Sequence, residues 1–298
     1  MRSPEPDPLA LVLTHGWPGS FVEFLDVIGP LTDPAAHGGN PADAFHVVVP
    51  SLPGFGSSGP VRESGWDTTR IATAWAELMS RLGYHRYGVQ GGDIGADVSP
   101  GVARIARDAM IGVHLNGNVG VPLHELDEAE RASLSPLERD RLNRVSRFMS
   151  EEFGYISIQS TRPATLGAAL ADSPVGQFAW IVDKFREWTH PREALPHDVV
   201  GIDRLLTNVM LYWLTDTASS SAYVGYMQES SWGAAKSASG IPTAVIVFAH
   251  DVGIRRYAEP EHAITRWTDV EDRGGHFAAL EEPETWTADI REFFAGLR

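Results

Sequence analysis

Tyr87-Gly88-Val89-Gln90-Gly91-Gly92-Asp93-Ile94-Gly95 is the stretch that constrains this chain's fold most tightly. A short apolar run suited to a buried strand, Tyr87-Gln90, enters a glycine-flanked turn, and a helix-compatible segment leaves it. So tight a turn leaves no room for side chains beside its central residue, which accounts for the small residues around it. That position commonly carries serine; here it carries Asp93. A carboxylate that attacks an sp³ carbon forms an alkyl ester, and water can then attack the ester carbonyl, whereas serine would leave an ether with no such exit. A glycine-rich loop whose aspartate caps the next helix would explain the same residues. The surroundings of the turn decide between the two.

Working outward, short runs rich in Val, Ile and Leu alternate with amphipathic stretches, the pattern of buried parallel strands joined by helices. Strands are predicted at Leu9-Thr14, Phe45-Val49, Tyr87-Gln90, Met110-Leu115, Thr243-Ala249 and Ile264-Trp267. Helices are predicted at Ser20-Ile28, Thr68-Leu82 and near Trp286-Leu297. The alternation predicts an α/β fold with a mostly parallel sheet covered on both faces. Between Asn116 and about Ala235 the rhythm changes to successive helices, with Ser135-Pro136 as N-cap and first helical residue of a run reaching Phe153. The expected division is a core of residues 1–116 and 236–298 and a helical cap of residues 117–235.

An aspartate on such a turn needs an acid and a histidine later in the chain, in that order, near the ends of further strands. Asp251 lies just beyond the run Thr243-Ala249, and His276 stands in Gly274-Gly275-His276-Phe277 after the next predicted strand. His276 is the candidate general base, and Asp251 the acid that orients it. Asp269, Glu271 and Asp272 share the histidine's own loop and read as solvated charges. His15-Gly16-Trp17-Pro18-Gly19 forms a turn after the first strand, and the backbone N–H groups of Trp17 and Ile94 are candidates for an oxyanion hole. Electrophilic sp³ carbons, mainly those of epoxides and alkyl halides, are the substrates such a set would suit.

The formal charge of −15 offers no field for phosphates, so nucleic acid is a poor partner. The chain has no cysteine, which excludes thiol catalysis, disulfides and thiolate zinc sites. Its start, Met1 to Pro8, is polar, and the apolar run Leu9-Leu13 is too short for a signal peptide or a membrane span. A cytoplasmic protein is expected. Only Lys184 and Lys236 are lysine among the basic residues, an arginine bias that suggests a GC-rich bacterial genome.

Several stretches together resemble the epoxide hydrolases, specifically the microsomal and juvenile-hormone type with its bacterial relatives. They are His15-Gly16-Trp17-Pro18-Gly19-Ser20, Gln90-Gly91-Gly92-Asp93, Gly112-Val113-His114-Leu115-Asn116, the run from Tyr155 to Pro163, the run from Leu206 to Trp213, and the run from Gly274 to Pro283. The resemblance implies an α/β-hydrolase fold with an inserted helical cap, a small-molecule epoxide as substrate, and neither metal nor organic cofactor. It also implies two cap tyrosines that hold the epoxide oxygen and supply its proton. Tyr155 lies in the first tyrosine motif, and with an unperturbed pKa of about 10 it is protonated at neutral pH. The family spacing puts the second at Gly225; Tyr226, directly beyond, is the expected partner, Tyr223 the reserve, and Tyr212 a packing residue.

Two departures from the family stand out. Ile94 replaces a common tryptophan, and the chain begins almost at the family's third strand. A sheet lacking the usual N-terminal strands is therefore expected, with an edge that favours association, for instance as a homodimer. Cap Trp and Phe residues point to an apolar substrate. The alternatives are a haloalkane dehalogenase, which shares the aspartate turn, and a non-catalytic binding protein, which has no need of the full set Asp93, Asp251 and His276.

Overall fold

The computed structural model describes residues 1–61, 63–122, 124–228 and 237–298. Six strands form one sheet: β1 (Leu9–Thr14), β2 (Phe45–Val48), β3 (Tyr87–Gly91), β4 (Met110–Asn116), β5 (Pro242–Val247) and β6 (Ala263–Asp269). Their order is β2-β1-β3-β4-β5-β6 and every pairing is parallel. All six are the predicted strands, with small shifts at their ends. β5 stops at Val247 because the Asp251 carboxylate takes the Phe248 N–H at 3.1 Å and turns the chain.

Side chains alternate across the sheet and build two cores. Val12, Val89, Val113 and Val245 face Ile71 and Trp75 of the helix Thr68–Arg81 and Val98 of the helix Ile94–Ile105. Leu11, Leu13, Ala244 and Ile246 face Leu31 of the helix Leu25–Thr32 and Trp286, Ile290 and Phe294 of the helix Pro283–Ala295. Leu11, Leu13 and Trp286 have no exposed surface, and each such side chain stabilises the fold by about 2 kcal/mol. The last helix starts before the predicted Trp286 because Pro283 supplies a preset φ at its first turn. The predicted helix Ser20-Ile28 is divided, a 3₁₀ turn Phe21–Phe24 capped by Ser20 preceding the helix Leu25–Thr32.

Edge strand β2 is covered in part by the first residues of the chain. The Met1 ammonium donates to Val47 O at 2.7 Å, Val47 N–H returns a bond to Met1 O at 2.9 Å, and Ser3 N–H donates to His46 Nδ1 at 3.0 Å.

Every regular element described between β4 and β5 is a helix, as expected. Pro136–Glu151 opens on a full capping box, Ser135 with Glu138. Arg141 on that helix donates to Gly253 O at 2.9 Å and to Asp269 at 2.6 Å, tying the insert to the loop after β5 and to the end of β6. The helix Ile202–Leu214 is pinned to the loop after β1: Asn208 donates to Pro18 O at 2.9 Å, Ser20 Oγ to Asn208 Oδ1 at 2.7 Å, and the Tyr212 hydroxyl to Gly19 O. Tyr212 is therefore buried structural packing, as predicted. The predicted boundary at 235 and 236 lies outside the described residues.

Candidate active site

Asp93 sits between β3 and the helix Ile94–Ile105 with φ 53° and ψ −122°, a conformation that non-glycine residues rarely hold. The surrounding packing keeps it there. A Cβ on Gly95 would lie 2.2 Å from Thr14 O, and one on Gly16 would lie 2.2 Å from Asp93 Oδ1. The glycines predicted to flank the turn are thus required by close approach, and Gly16 on the opposing loop is required as well.

The two oxygens of Asp93 have different surroundings. Oδ1 accepts the Trp17 N–H at 2.9 Å, so one predicted oxyanion donor is on the nucleophile itself. Ile94, the first residue of its helix, has an N–H with no intrahelical acceptor. Oδ2 lies 3.6 Å from His276 Nε2. Burial lowers the His276 pKa and the nearby Asp93 charge opposes that, which leaves the imidazole neutral and able to take a proton. Trp17, Asp93 and His276 share one small cavity with Glu23, Asn116 and Trp286.

Asp251 lies just beyond β5, where it was expected. It is buried, yet among the described residues no hydrogen bond or ion pair joins it to His276. Its carboxylate instead folds back on its own turn, where Oδ2 takes the Phe248 N–H and Asp251 N–H donates to Phe248 O at 3.0 Å. Burial pushes this carboxyl up to about 7, against the Phe248 N–H and the charges of Arg144 and Arg141. Asp269 is exposed, as expected of a solvated charge, and also pairs with Arg141. Glu271 and Asp272 are exposed.

Tyr155, on the helix Gly154–Thr161, stacks on Trp17 with ring centroids 5.1 Å apart and meets Trp188 at 5.5 Å. Burial, then the charges of Asp93 and Glu152, raise its pKa well above that of a free phenol and keep it a proton donor. Tyr226 is not brought to this cluster. It is 50% exposed, and its ring meets Tyr223 edge-on at 6.4 Å. Among the described residues no hydrogen bond or ring contact joins Tyr223 or Tyr226 to Asp93, Tyr155 or His276. The reason is helical phase: a Cβ on Gly225 would lie 2.8 Å from Ser160 Oγ, on the Tyr155 helix, so position 226, about 100° further round, turns outward.

Three residues of the site were not singled out from the sequence. Glu23 lines the cavity, and burial, then Asp93, raises its pKa well above the carboxylate range. Ser20 and Glu23 have capping-box spacing, a signal of helix start rather than of chemistry. Trp188 sets its ring 4.9 Å from that of His276. Glu281 accepts the Phe277 N–H at 3.0 Å and the His190 N–H at 2.9 Å. Among the described residues no cluster of His, Asp and Glu could hold a metal ion, and no helix is long and apolar enough to cross a membrane.

These groups set the direction of the pH response. Asp251, at about 7, and Glu281, at about 8, lie above their unfolded values, so their stabilisation is full below about pH 4 and is lost as pH rises through 7 and 8. His15, at about 4, and His250, at about 3, lie below theirs, so their stabilisation is full above about pH 6.5 and is lost as pH falls through 4 and 3. A dome-shaped profile of Tm against pH is expected, falling above neutrality and below pH 4, with Asp251→Asn flattening the alkaline side. A Tm that climbs steadily to pH 9 would contradict this.

Residues 10–149 match the family model for the alpha/beta hydrolase fold. A Stigmatella aurantiaca protein assigned to the epoxide hydrolases is 44% identical over 299 residues, covering 100% of this chain and 67% of that protein. Epoxide hydrolase 1 of Oryctolagus cuniculus is 34% identical over 326 residues, covering 98% of this chain and 68% of the rabbit protein. The crystal structure of juvenile hormone epoxide hydrolase from the silkworm Bombyx mori superposes with a TM-score of 0.86 at 30% identity, covering 100% of this chain and 75% of that one. The fold and the aspartate turn make this an α/β hydrolase. Within that class, the chain belongs to the epoxide hydrolase family.

Proposed function

We propose that the chain opens an epoxide to a vicinal diol through an ester on Asp93. The observation that carries this reading is the inequivalence of the two carboxylate oxygens. Oδ1 is fixed by Trp17 N–H, and Oδ2 is left to attack, 3.6 Å from His276. Oδ2 bonds to an epoxide carbon as the ring C–O bond breaks, and the released oxygen takes the Tyr155 proton. Water then adds to Asp93 Cγ while His276 takes its proton, and the charge growing on Oδ1 is met by the Trp17 and Ile94 N–H groups. Collapse of the tetrahedral intermediate releases the diol and restores the carboxylate, and the proton held by His276 makes good the one that Tyr155 gave up. The aromatic rings of Trp17, Tyr155 and Trp188 beside Asp93 favour an epoxide with apolar substituents. The helices between 117 and 235 serve as a cap that carries Tyr155.

Single-turnover hydrolysis in ¹⁸O-water tests the scheme. The label is expected in Asp93 after the first turnover and in the diol only on later ones; label in the first diol would mean direct attack by water. Halide release from a panel of haloalkanes would move the assignment to dehalogenation. Tyr155→Phe is expected to slow ester formation about 100-fold and leave ester hydrolysis close to wild type, read by rapid quench. Equal slowing of both steps would remove Tyr155 from its role as proton donor.

A further inference from the structure

Two hydrogen bonds join the base loop to the helical insert, and a third, within the loop, links them. His276 N–H donates to Trp188 O at 3.0 Å. Phe277 N–H donates to Glu281 Oε1 at 3.0 Å, and His190 N–H donates to Glu281 Oε2 at 2.9 Å across 91 residues of sequence. The amides of His276 and Phe277 are thus both held, one by the insert directly and one through the Glu281 carboxyl. The same segment of the insert also touches the other half of the site, since the Trp188 ring lies 5.5 Å from that of Tyr155 and 4.9 Å from that of His276.

Glu281 is placed where a carboxyl is costly. Burial pushes its pKa up to about 8 against the two N–H bonds that favour the charged form. Space is made for it: a Cβ on Gly275 would lie 2.9 Å from both of its oxygens. The Phe277 bond spans four residues and is explained by the short helix Ala278–Glu281 alone. The His190 bond has no such local explanation. Two N–H donors arriving from opposite sides require an acceptor oxygen at each end of one side chain, which a carboxyl group provides in either protonation state and a carboxamide does not.

We propose that Glu281 is a positioning residue that fixes His276 to the helical insert, so that ester hydrolysis depends on it while ester formation does not. Asp93 is held by its own turn and by Trp17, and neither touches Glu281 in the bonds above. His276 works only in the second step, where a displacement of about 1 Å costs on the order of 100-fold. The proposal rests on the covalent mechanism given under Proposed function.

The test is a rapid-quench comparison of wild type, Glu281→Gln and His276→Gln with styrene oxide, following diol and, by mass spectrometry, the adduct on the Asp93 peptide. In Glu281→Gln, adduct formation is expected within about 3-fold of wild type and its decay about 30- to 100-fold slower. Equal slowing of both steps would show a merely structural role and overturn the proposal, as would decay at the wild-type rate. The absence of any adduct in His276→Gln would overturn the covalent reading and the proposal with it. A second measurement uses only the native chain: in hydrogen exchange the amides of His190, His276 and Phe277 are expected to be protected together. Exchange of His190 at the rate of exposed loop amides while Phe277 stays protected would show that no strut exists.

Discussion

Asp93→Asn is expected to lower turnover of an epoxide by about 10⁴-fold or more while the protein stays folded. The folding part follows from the backbone: Asn is among the few residues enriched at positive φ, and its side-chain oxygen can still accept the Trp17 N–H. Unfolding free energy is therefore expected to stay within about 0.5 kcal/mol of wild type. The kinetic part follows from charge, since a carboxamide oxygen is too poor a nucleophile to open the ring. Diol production near the wild-type rate, after mass spectrometry has excluded deamidation, would remove Asp93 from the chemistry.

The second large effect is expected at His276→Gln, which leaves the nucleophile and Tyr155 in place and removes the base. One equivalent of substrate is expected to be consumed at close to the normal rate, followed by steady turnover reduced about 10³- to 10⁴-fold. The stalled species is an ester, so intact-protein mass should rise by the full mass of the epoxide and fall again on mild alkaline treatment. Steady turnover without a burst or an added mass would assign the base elsewhere; Glu23, in the same cavity, would then be the first group to examine.

The strands and the aspartate turn were legible because their signals are local. A short strand-like run, Tyr87-Gln90, that ends in Gly91-Gly92-Asp93 and is followed by a helix-compatible segment has few other foldings, and the positive φ of Asp93 follows from the turn. His276 and Trp17 were legible because backbone position alone brings them to the end of the sheet. Side-chain direction was harder to read. Tyr226 depended on the phase of a short helix, where one residue separates a position facing the Tyr155 helix from one facing solvent. Asp251 was found at the right place on the chain, but nothing local told that its carboxylate would serve its own turn. Glu281 and Trp188 were invisible for a different reason, since their contacts join the insert to the core across long sequence separations that no periodicity reports.

The stacking of Trp17 on Tyr155 and the approach of Trp188 to His276 have an optical consequence. Trp17 donates its backbone N–H to a carboxylate whose charge disappears when it is esterified, and Trp188 packs against the histidine beside that carboxylate. Emission from these two fluorophores should shift as the ester forms and return as it decays, so the chain carries a built-in reporter that permits each half of the cycle to be timed without a labelled substrate.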